Sequence, residues 1–194
     1  MSKNVALNAI LVRHAQTEAN RDGVAQGQTD SPIAAEGVAG AIQKAAKLNK
    51  YRFSAVYCSD LARAVKTVKI LGEAMNGLPE PVFEPLLREI DFGDYSGMKK
   101  EEIMPHVMRH KADLSMKYPN GESGNDLITR TRSFFEMLLE KHRGQTVLVV
   151  THYGIMETAA KQFAGYPKDE RVTIGETDVW EMTFVKGKAE LRII

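Results

Sequence analysis

Apolar and polar positions alternate along the chain in blocks that predict strands and helices in turn. Short all-apolar runs, typical of buried strands, lie at 9–12, 55–58 and 147–150. A weaker strand is predicted over 82–84, and a hairpin over 179–185 and 189–194 with its turn at Lys186-Gly187-Lys188. Helical spacing of apolar residues predicts helices over 34–48, 61–76, 99–109, 123–142 and 155–163.

The same spacing predicts which face of each helix is buried. On the two helices with the strongest pattern the apolar stripes are Leu61, Ala64, Val65, Val68 and Leu71, and Leu127, Thr131, Phe134, Phe135 and Leu138. Weaker stripes are Val38, Ile42, Ala45 and Ala46, and Ile103 with Val107. Strands that alternate with helices predict a three-layer α/β/α sandwich, with a mostly parallel central sheet and one antiparallel edge strand.

Composition narrows the class of protein. A chain of 194 residues predicts a single domain over 1–194, and 43% apolar with 26% charged residues is ordinary for a globular protein. The net charge of +1 argues against nucleic acid as the main partner but allows a small anionic ligand. A single cysteine, no signal-peptide pattern and no long apolar run lead us to expect a cytoplasmic protein that does not insert into membranes.

Polar residues that suit an anionic ligand follow three of the predicted strands. Arg13 and His14 follow the first, and Thr151 and His152 follow the 147–150 run. Ser59 and Asp60 follow the second, with Arg63 one helical turn later. Because ligands of open α/β sheets bind beyond the carboxyl ends of the strands, we expect two histidines and two arginines to converge there.

Arg63 lies in the first turn of a helix that Ser59 or Asp60 is expected to cap. A cation is disfavoured at that end of a helix, by roughly 0.3–1 kcal/mol, unless an anion is bound beside it. The alternative is that Arg63 forms a surface ion pair with Asp60 or Glu36.

Other chemistries find no support in the sequence. Phosphate-binding P-loop, dinucleotide-binding and serine-hydrolase motifs are absent. Cys58 is one residue too close to Arg63 for the loop of cysteine phosphatases, and we interpret it as a buried strand residue. His106 and His110 have a spacing that can bind a metal, but a solvated helix face is the simpler interpretation. We therefore expect neither a metal nor another cofactor.

Five further motifs follow the Arg13-His14 pair in an order that resembles the histidine phosphatase superfamily, the phosphoglycerate-mutase-like proteins. The pair itself lies in segment 11–20, which is similar to the family signature, and the further motifs are 26–32, 59–64, 87–97, 118–123 and 151–152. The resemblance covers nearly the whole chain. It implies the phosphoglycerate-mutase-like form of the α/β fold.

The resemblance also implies roles for individual residues. His14 is the implied nucleophile, which becomes phosphohistidine, and Glu89 the implied proton donor to the leaving alcohol. The phosphoryl oxygens would be held by Arg13, Arg63 and His152, with Asn20, Gln26, Gly27 and Tyr153 as further phosphate or substrate contacts. The residues alone do not show whether Glu89, Glu84 or Asp91 is the proton donor. The alternative role for Glu89 is a surface ion pair with Arg88 or a lysine.

The chain departs from the family pattern at several positions. Ala15 replaces a glycine of the signature, and Ala34-Ala35 replaces Leu-Thr before the first long helix. Tyr153 replaces a glycine, and it either contacts the substrate or packs under a loop. Glu157 stands where many members have arginine.

The expected function is phosphomonoester hydrolysis of a small phosphorylated metabolite. Longer lid sequences are typical of the mutases, whereas the lid-like segment 98–120 is short and the tail ends at a predicted strand. The methionines of segment 98–120, at positions 98, 104, 108 and 116, either give it an adaptable surface or pack on the domain. Mutase activity and non-catalytic binding of a phosphorylated ligand are the alternatives. The oligomeric state is left open, with a homodimer among the options.

Overall fold

The computed structural model describes residues 5–75 and 77–194. Its strands are β1 (Leu7–Arg13), β2 (Ala55–Cys58), β3 (Pro81–Phe83), β4 (Thr146–Thr151), β5 (Trp180–Val185) and β6 (Lys188–Ile193). Its helices are α1 (Glu18–Arg21), α2 (Ala35–Leu48), α3 (Ala62–Ala74), α4 (Lys100–Ala112), α5 (Gly124–Lys141) and α6 (Tyr153–Phe163). Short 3-10 turns lie at Pro85–Leu87 and Gly93–Tyr95. The expected end of the third helix, at Asn76, lies outside the described residues.

The described strands form one six-stranded sheet in the order β3-β2-β4-β1-β5-β6. Strands β1 to β4 are parallel, and β5 and β6 are antiparallel to their neighbours. The predicted α/β fold with a mostly parallel sheet is therefore confirmed. The antiparallel edge is the hairpin that the turn at 186–188 predicted, with both of its strands in the sheet.

Helices cover both faces of the sheet. Alternate residues of its central strands point to opposite sides and pack against different helices. Leu7, Ala9 and Leu11 of β1 pack in the cluster that contains α5 and α6. Ile10 and Val12 of the same strand pack in the cluster that contains residues of α2 and α3. Both clusters are closed to solvent, which confirms the three-layer arrangement.

The predicted buried faces are right for α5 and wrong for α2. All five residues of the α5 stripe are buried. On α2, Val38 and Ile42 are 37% and 51% exposed. The buried face of α2 consists instead of Gly37, Ala41, Lys44, Ala45 and Leu48. Gly37 lets this helix approach the loop that follows β1 closely. An added Cβ at Gly37 would lie only 2.2 Å from the Gln16 carbonyl oxygen.

Candidate active site

Three parallel strands end at the same edge of the sheet and deliver the basic residues to one place. Arg13 is the last residue of β1, and His14 follows it. Ser59 follows β2, and His152 follows β4 as the N-cap of α6. Residue pairing places Arg13 beside Thr151 across the β1–β4 ladder. The structure thus brings together Arg13, His14, Arg63 and His152, which we call the basic cluster.

The two histidine rings lie next to each other with their centroids 5.1 Å apart. His14 is 3% exposed and His152 is fully buried. Burial, followed by the charges of Arg13 and Arg63, holds the pKa of His14 well below 6.5. Burial and then the neighbouring His14 do the same to the pKa of His152. Both rings are therefore neutral at neutral pH.

The proton of His14 can be placed from its hydrogen bond. Nδ1 lies 2.8 Å from the Ala15 carbonyl oxygen, which can only accept. Nδ1 of the neutral ring therefore carries the proton, and Nε2 has a free lone pair. The signature loop is held in turn by Thr67 on α3, whose Oγ1 accepts from the Ala15 N–H at 2.8 Å. Thr67 was not predicted from the sequence.

Arg63 is buried, with 1% of its surface exposed, and the alternative of a surface ion pair with Asp60 or Glu36 is wrong. Its two terminal nitrogens donate to the Thr29 and Gly27 carbonyl oxygens at 2.7 and 2.6 Å. The Asp30 carboxylate lies 3.6 Å away. Arg63 therefore fixes the loop over 27–30 while its Nε remains buried and unpaired.

The start of α3 differs from the expectation. The N-cap position is Leu61, not Ser59 or Asp60. The Ser59 hydroxyl lies instead 2.8 Å from His152 Nε2. When this hydroxyl donates to Nε2, the proton of the His152 ring is on Nδ1. Asp60 is engaged by Arg88, whose Nε donates to it at 2.7 Å.

Three nitrogens of the basic cluster are buried and make no hydrogen bond within the described part of the chain. They are Arg13 Nε, Arg63 Nε and His152 Nδ1. Buried polar groups are almost always paired in folded proteins, and an unpaired one costs about 1–3 kcal/mol. Donors left unpaired beside each other are therefore available to an anionic ligand.

Lys44 is a functional-site neighbour that the sequence analysis missed. Its side chain is fully buried on α2, and its Nζ donates to the Arg13 carbonyl oxygen at 2.8 Å. Burial lowers the pKa of Lys44 to about 8. Its charge also acts on His14 and helps to keep that ring neutral. The spacing of apolar residues does not reveal Lys44, because it is a charged residue on the buried face of α2, where most of the other residues are small.

Glu89 lies beside the basic cluster rather than in a surface ion pair. Its carboxylate accepts from the Ile90 N–H at 2.9 Å and from the Gly154 N–H of α6 at 3.1 Å. A carboxylate is favoured at the N-terminus of a helix. The approach requires a glycine, because an added Cβ at Gly154 would lie 2.3 Å from Glu89 Oε1.

The segment that carries Glu89 is held by a residue from α5. Arg130 donates to the Leu86 carbonyl oxygen at 2.8 Å and to the Glu89 carbonyl oxygen at 3.0 Å. It also forms two 2.9 Å bonds with the Glu122 carboxylate. Thr151 adds a bond to the Leu87 carbonyl oxygen at 2.9 Å. Arg130 was missed because its carbonyl partners in the segment around Glu89 lie 41 or more residues away in the chain.

Asn20, Gln26 and Gly27 serve the loops around the cluster. The Asn20 carboxamide oxygen and Thr17 form the capping box of α1. Gln26 donates to the Thr17 hydroxyl at 2.9 Å. Gly27 adopts a positive φ of 53°, and its carbonyl accepts from Arg63. These contacts explain the loops, and a direct role in ligand binding stays a prediction for all three residues.

Tyr153 packs under the connection between α6 and β5, residues 164–179. Its hydroxyl donates to the Val172 carbonyl oxygen at 2.8 Å. The structure therefore favours the packing interpretation of Tyr153 over the substrate-contact interpretation.

Glu157 is 9% exposed and forms ion pairs with Lys111 of α4 at 3.3 Å and with Lys161 at 3.1 Å.

The expectation that His106 and His110 lie on a solvated helix face is wrong for His110. His110 is 7% exposed and stacks on Tyr118 at a centroid distance of 3.9 Å. Its ring nitrogens lie 2.7 and 3.2 Å from the carbonyl oxygens of His106 and Lys117. Among the described residues, no group of three or more His, Cys, Asp or Glu side chains is arranged to hold a metal ion.

Cys58 is fully buried, as interpreted from the sequence, and burial raises the pKa of its thiol to about 12. A neutral thiol is a poor nucleophile. Within residues 5–75 and 77–194, none of the helices combines the length and apolar character needed to cross a membrane.

The fold and the basic cluster together are those of an α/β protein with a site suited to an anionic ligand. A model of the histidine phosphatase superfamily (branch 1) matches residues 9–194. The chain belongs to this family, which confirms the resemblance seen in its motifs.

The relatives include both phosphatases and mutases. Phosphoserine phosphatase 1 of Hydrogenobacter thermophilus is 35% identical over 148 residues, covering 74% of this chain and 69% of the relative. A 2,3-bisphosphoglycerate-dependent phosphoglycerate mutase of Xanthobacter autotrophicus is 36% identical over 159 residues, covering 74% of each. The structure of the alpha-ribazole phosphatase from Shigella flexneri superposes with a TM-score of 0.80 at 26% identity, covering 96% of this chain and 95% of that one. Similarity therefore identifies the family but not the reaction.

Proposed function

We propose that this protein is a phosphomonoester hydrolase that works through a phosphohistidine intermediate on His14. The observation that supports this most strongly is a neutral, buried imidazole with a free Nε2 beside two guanidinium groups. His14 must be neutral to attack phosphorus, and the cations that lower its pKa are the groups that would bind the phosphoryl oxygens.

In the first step Nε2 of His14 attacks the phosphorus atom, and the bond between phosphorus and the alcohol oxygen breaks. Charge on the transferring group would be stabilised by Arg13 and Arg63, and by the ring N–H of His152. The unpaired Nε atoms of both arginines and the unpaired Nδ1 of His152 support these roles. Arg63 and His152 are held by hydrogen bonds before the substrate arrives, which suits catalysis by positioning.

Glu89 is the proposed proton carrier. It would donate a proton to the departing alcohol, and in the second step take one from the water that attacks the phosphohistidine. The bond between Nε2 and phosphorus then breaks, releasing inorganic phosphate and regenerating both residues. The Ile90 and Gly154 N–H groups hold the carboxyl in place, and Arg130 holds its backbone.

Hydrolysis and mutase chemistry share these steps and differ in what attacks the phosphohistidine. We favour water because segment 98–120 contributes only one helix, α4, and its apolar side chains Met104 and Met108 are 43% and 61% exposed. A lid that buried the site would be expected to bury such residues against it. The proposed substrates are small phosphorylated metabolites.

The test is turnover of p-nitrophenyl phosphate by the wild type, with and without EDTA. We expect metal-independent hydrolysis, lost by at least about 10³-fold in His14→Ala, which should remain folded by circular dichroism. Rapidly quenched wild type should carry acid-labile phosphate on His14. Labelling on Ser59 or Cys58 would refute the mechanism, and no turnover by the wild type would favour a non-catalytic binder.

The mutase alternative has its own measurement. Wild type is incubated with 3-phosphoglycerate, with and without 2,3-bisphosphoglycerate, and the products are separated. Release of inorganic phosphate in both cases supports the hydrolase. Production of 2-phosphoglycerate that depends on the bisphosphate would overturn it.

A further inference from the structure

A carboxylate that the proposed mechanism does not use lies at the outer edge of the basic cluster. Glu176, in the connection between α6 and β5, places Oε1 3.5 Å from a terminal nitrogen of Arg13. The Arg13 side chain is 16% exposed and that of Glu176 is 45% exposed. Glu176 therefore faces both the arginine and the solvent from which a substrate arrives.

The turn that presents Glu176 is held in place on both sides. Asp178 accepts from the Gly175 N–H at 2.7 Å, and an added Cβ at Gly175 would lie 2.9 Å from the same carboxylate. Lys47 of α2 donates to the Thr177 carbonyl oxygen at 2.9 Å. The backbone of the turn that carries Glu176 is thus held by contacts on both sides of that residue.

Two cations face the same region. Burial, followed by the charge of Arg13, lowers the pKa of Lys100. The charges of Glu176 and Arg171 also act on this pKa. Arg171 acts in turn on the Tyr153 hydroxyl. The surroundings of the leaving group therefore carry both signs of charge, with Glu176 as the carboxylate nearest Arg13.

Binding of a phosphate dianion changes the situation of Glu176. If Arg13 turns its charge to the phosphoryl oxygens, the carboxylate is left close to a dianion, and like charges at short range repel. A leaving alcohol that carries its own cation removes this repulsion and gives Glu176 a new partner. A leaving alcohol that is neutral or purely anionic does not.

We propose that Glu176 is a specificity-determining residue that binds an ammonium group on the leaving alcohol. The preferred substrates are then phosphomonoesters of amino alcohols and hydroxy amino acids. This inference rests on the proposed function. Lys100 and Arg171 leave room for a negative group on the same alcohol, so a zwitterionic leaving group fits the mixed charge best.

The experiment compares O-phosphoserine with 3-phosphoglycerate, which differ only in carrying an ammonium or a hydroxyl group on the same carbon. For wild type we expect kcat/KM for phosphate release to be higher with O-phosphoserine by about fivefold or more. Glu176→Gln should remove most of this preference. O-Phosphoethanolamine, which keeps the ammonium group and lacks the carboxylate, should respond to Glu176→Gln as O-phosphoserine does.

Glu170→Gln is the matched control, because it makes the same change of charge at an exposed carboxylate of the same connection. It should leave the substrate ratio as in wild type. An equal ratio in wild type and Glu176→Gln, or an equal shift in Glu170→Gln, would overturn the proposal. Turnover of p-nitrophenyl phosphate in each sample separates the two hypotheses: if it persists while the substrate ratio stays flat, only the role of Glu176 fails.

Discussion

The basic cluster and the surface around it are built in opposite ways. His14, Arg63 and His152 are each at most 3% exposed, and strand ends and hydrogen bonds hold them in place. In segment 98–120 Met108 is 61% exposed, and the Glu176 side chain, in the connection between α6 and β5, is 45% exposed. We therefore propose that the buried sheet edge sets the chemical step, whereas the exposed Glu176 acts on the choice of leaving group.

Gly154→Ala tests the rigid side of this comparison and has the largest expected effect. The added Cβ would lie 2.3 Å from Glu89 Oε1, so the carboxyl must move. A displacement of about 1 Å at a catalytic group can cost about 10²-fold in rate, and we expect a loss of kcat of at least that size. The measurement is steady-state turnover of p-nitrophenyl phosphate.

The matched control is Gly72→Ala, in the last turn of α3, where an added Cβ meets no atom within 4 Å among the described residues. That variant should gain about 0.5–1 kcal/mol in the free energy of unfolding and keep its activity. If Gly154→Ala retains wild-type turnover, the proposed position of Glu89 is wrong.

Lys44→Met tests the buried lysine that donates to the Arg13 carbonyl oxygen, through the pH dependence of the free energy of unfolding. Burial lowers the pKa of Lys44 from its ordinary value of 10.5 to about 8 in the folded protein. Between pH 8 and 10.5 the unfolded chain therefore binds a proton that the folded chain does not. The free energy of unfolding of wild type should rise across this window, relative to Lys44→Met, by about 3 kcal/mol in total.

Urea unfolding of both proteins across that pH range provides the measurement. Lys66→Met, a change at an exposed lysine of α3, is the control and should follow the wild-type curve. Parallel curves for wild type and Lys44→Met would show that the pKa of Lys44 is not lowered in the folded protein.

The contrast also explains how far the sequence alone leads. Apolar runs and the α5 stripe predicted the sheet and one helix face, because burial there depends on residues close together in the chain. Strand ends predicted which side chains meet. Lys44 and Arg130 could not be predicted, since each binds a backbone carbonyl more than 30 residues away and leaves no periodic signal. Glu89 was chosen as the proton donor from the resemblance to the family. Its contact with Gly154 is the structural observation that places its carboxylate beside the basic cluster.

The smallest expected effect concerns the exposed side of the comparison. Met108 projects from α4 with 61% of its surface exposed, so it contributes little to packing. Met108→Gln should change the free energy of unfolding by no more than about 0.5 kcal/mol, and turnover of p-nitrophenyl phosphate by no more than about twofold. Denaturant unfolding and steady-state kinetics on the same preparation measure both. A loss of stability well above that limit would mean that α4 packs more tightly on the domain in solution, and that the surroundings of the cluster are as rigid as the cluster itself.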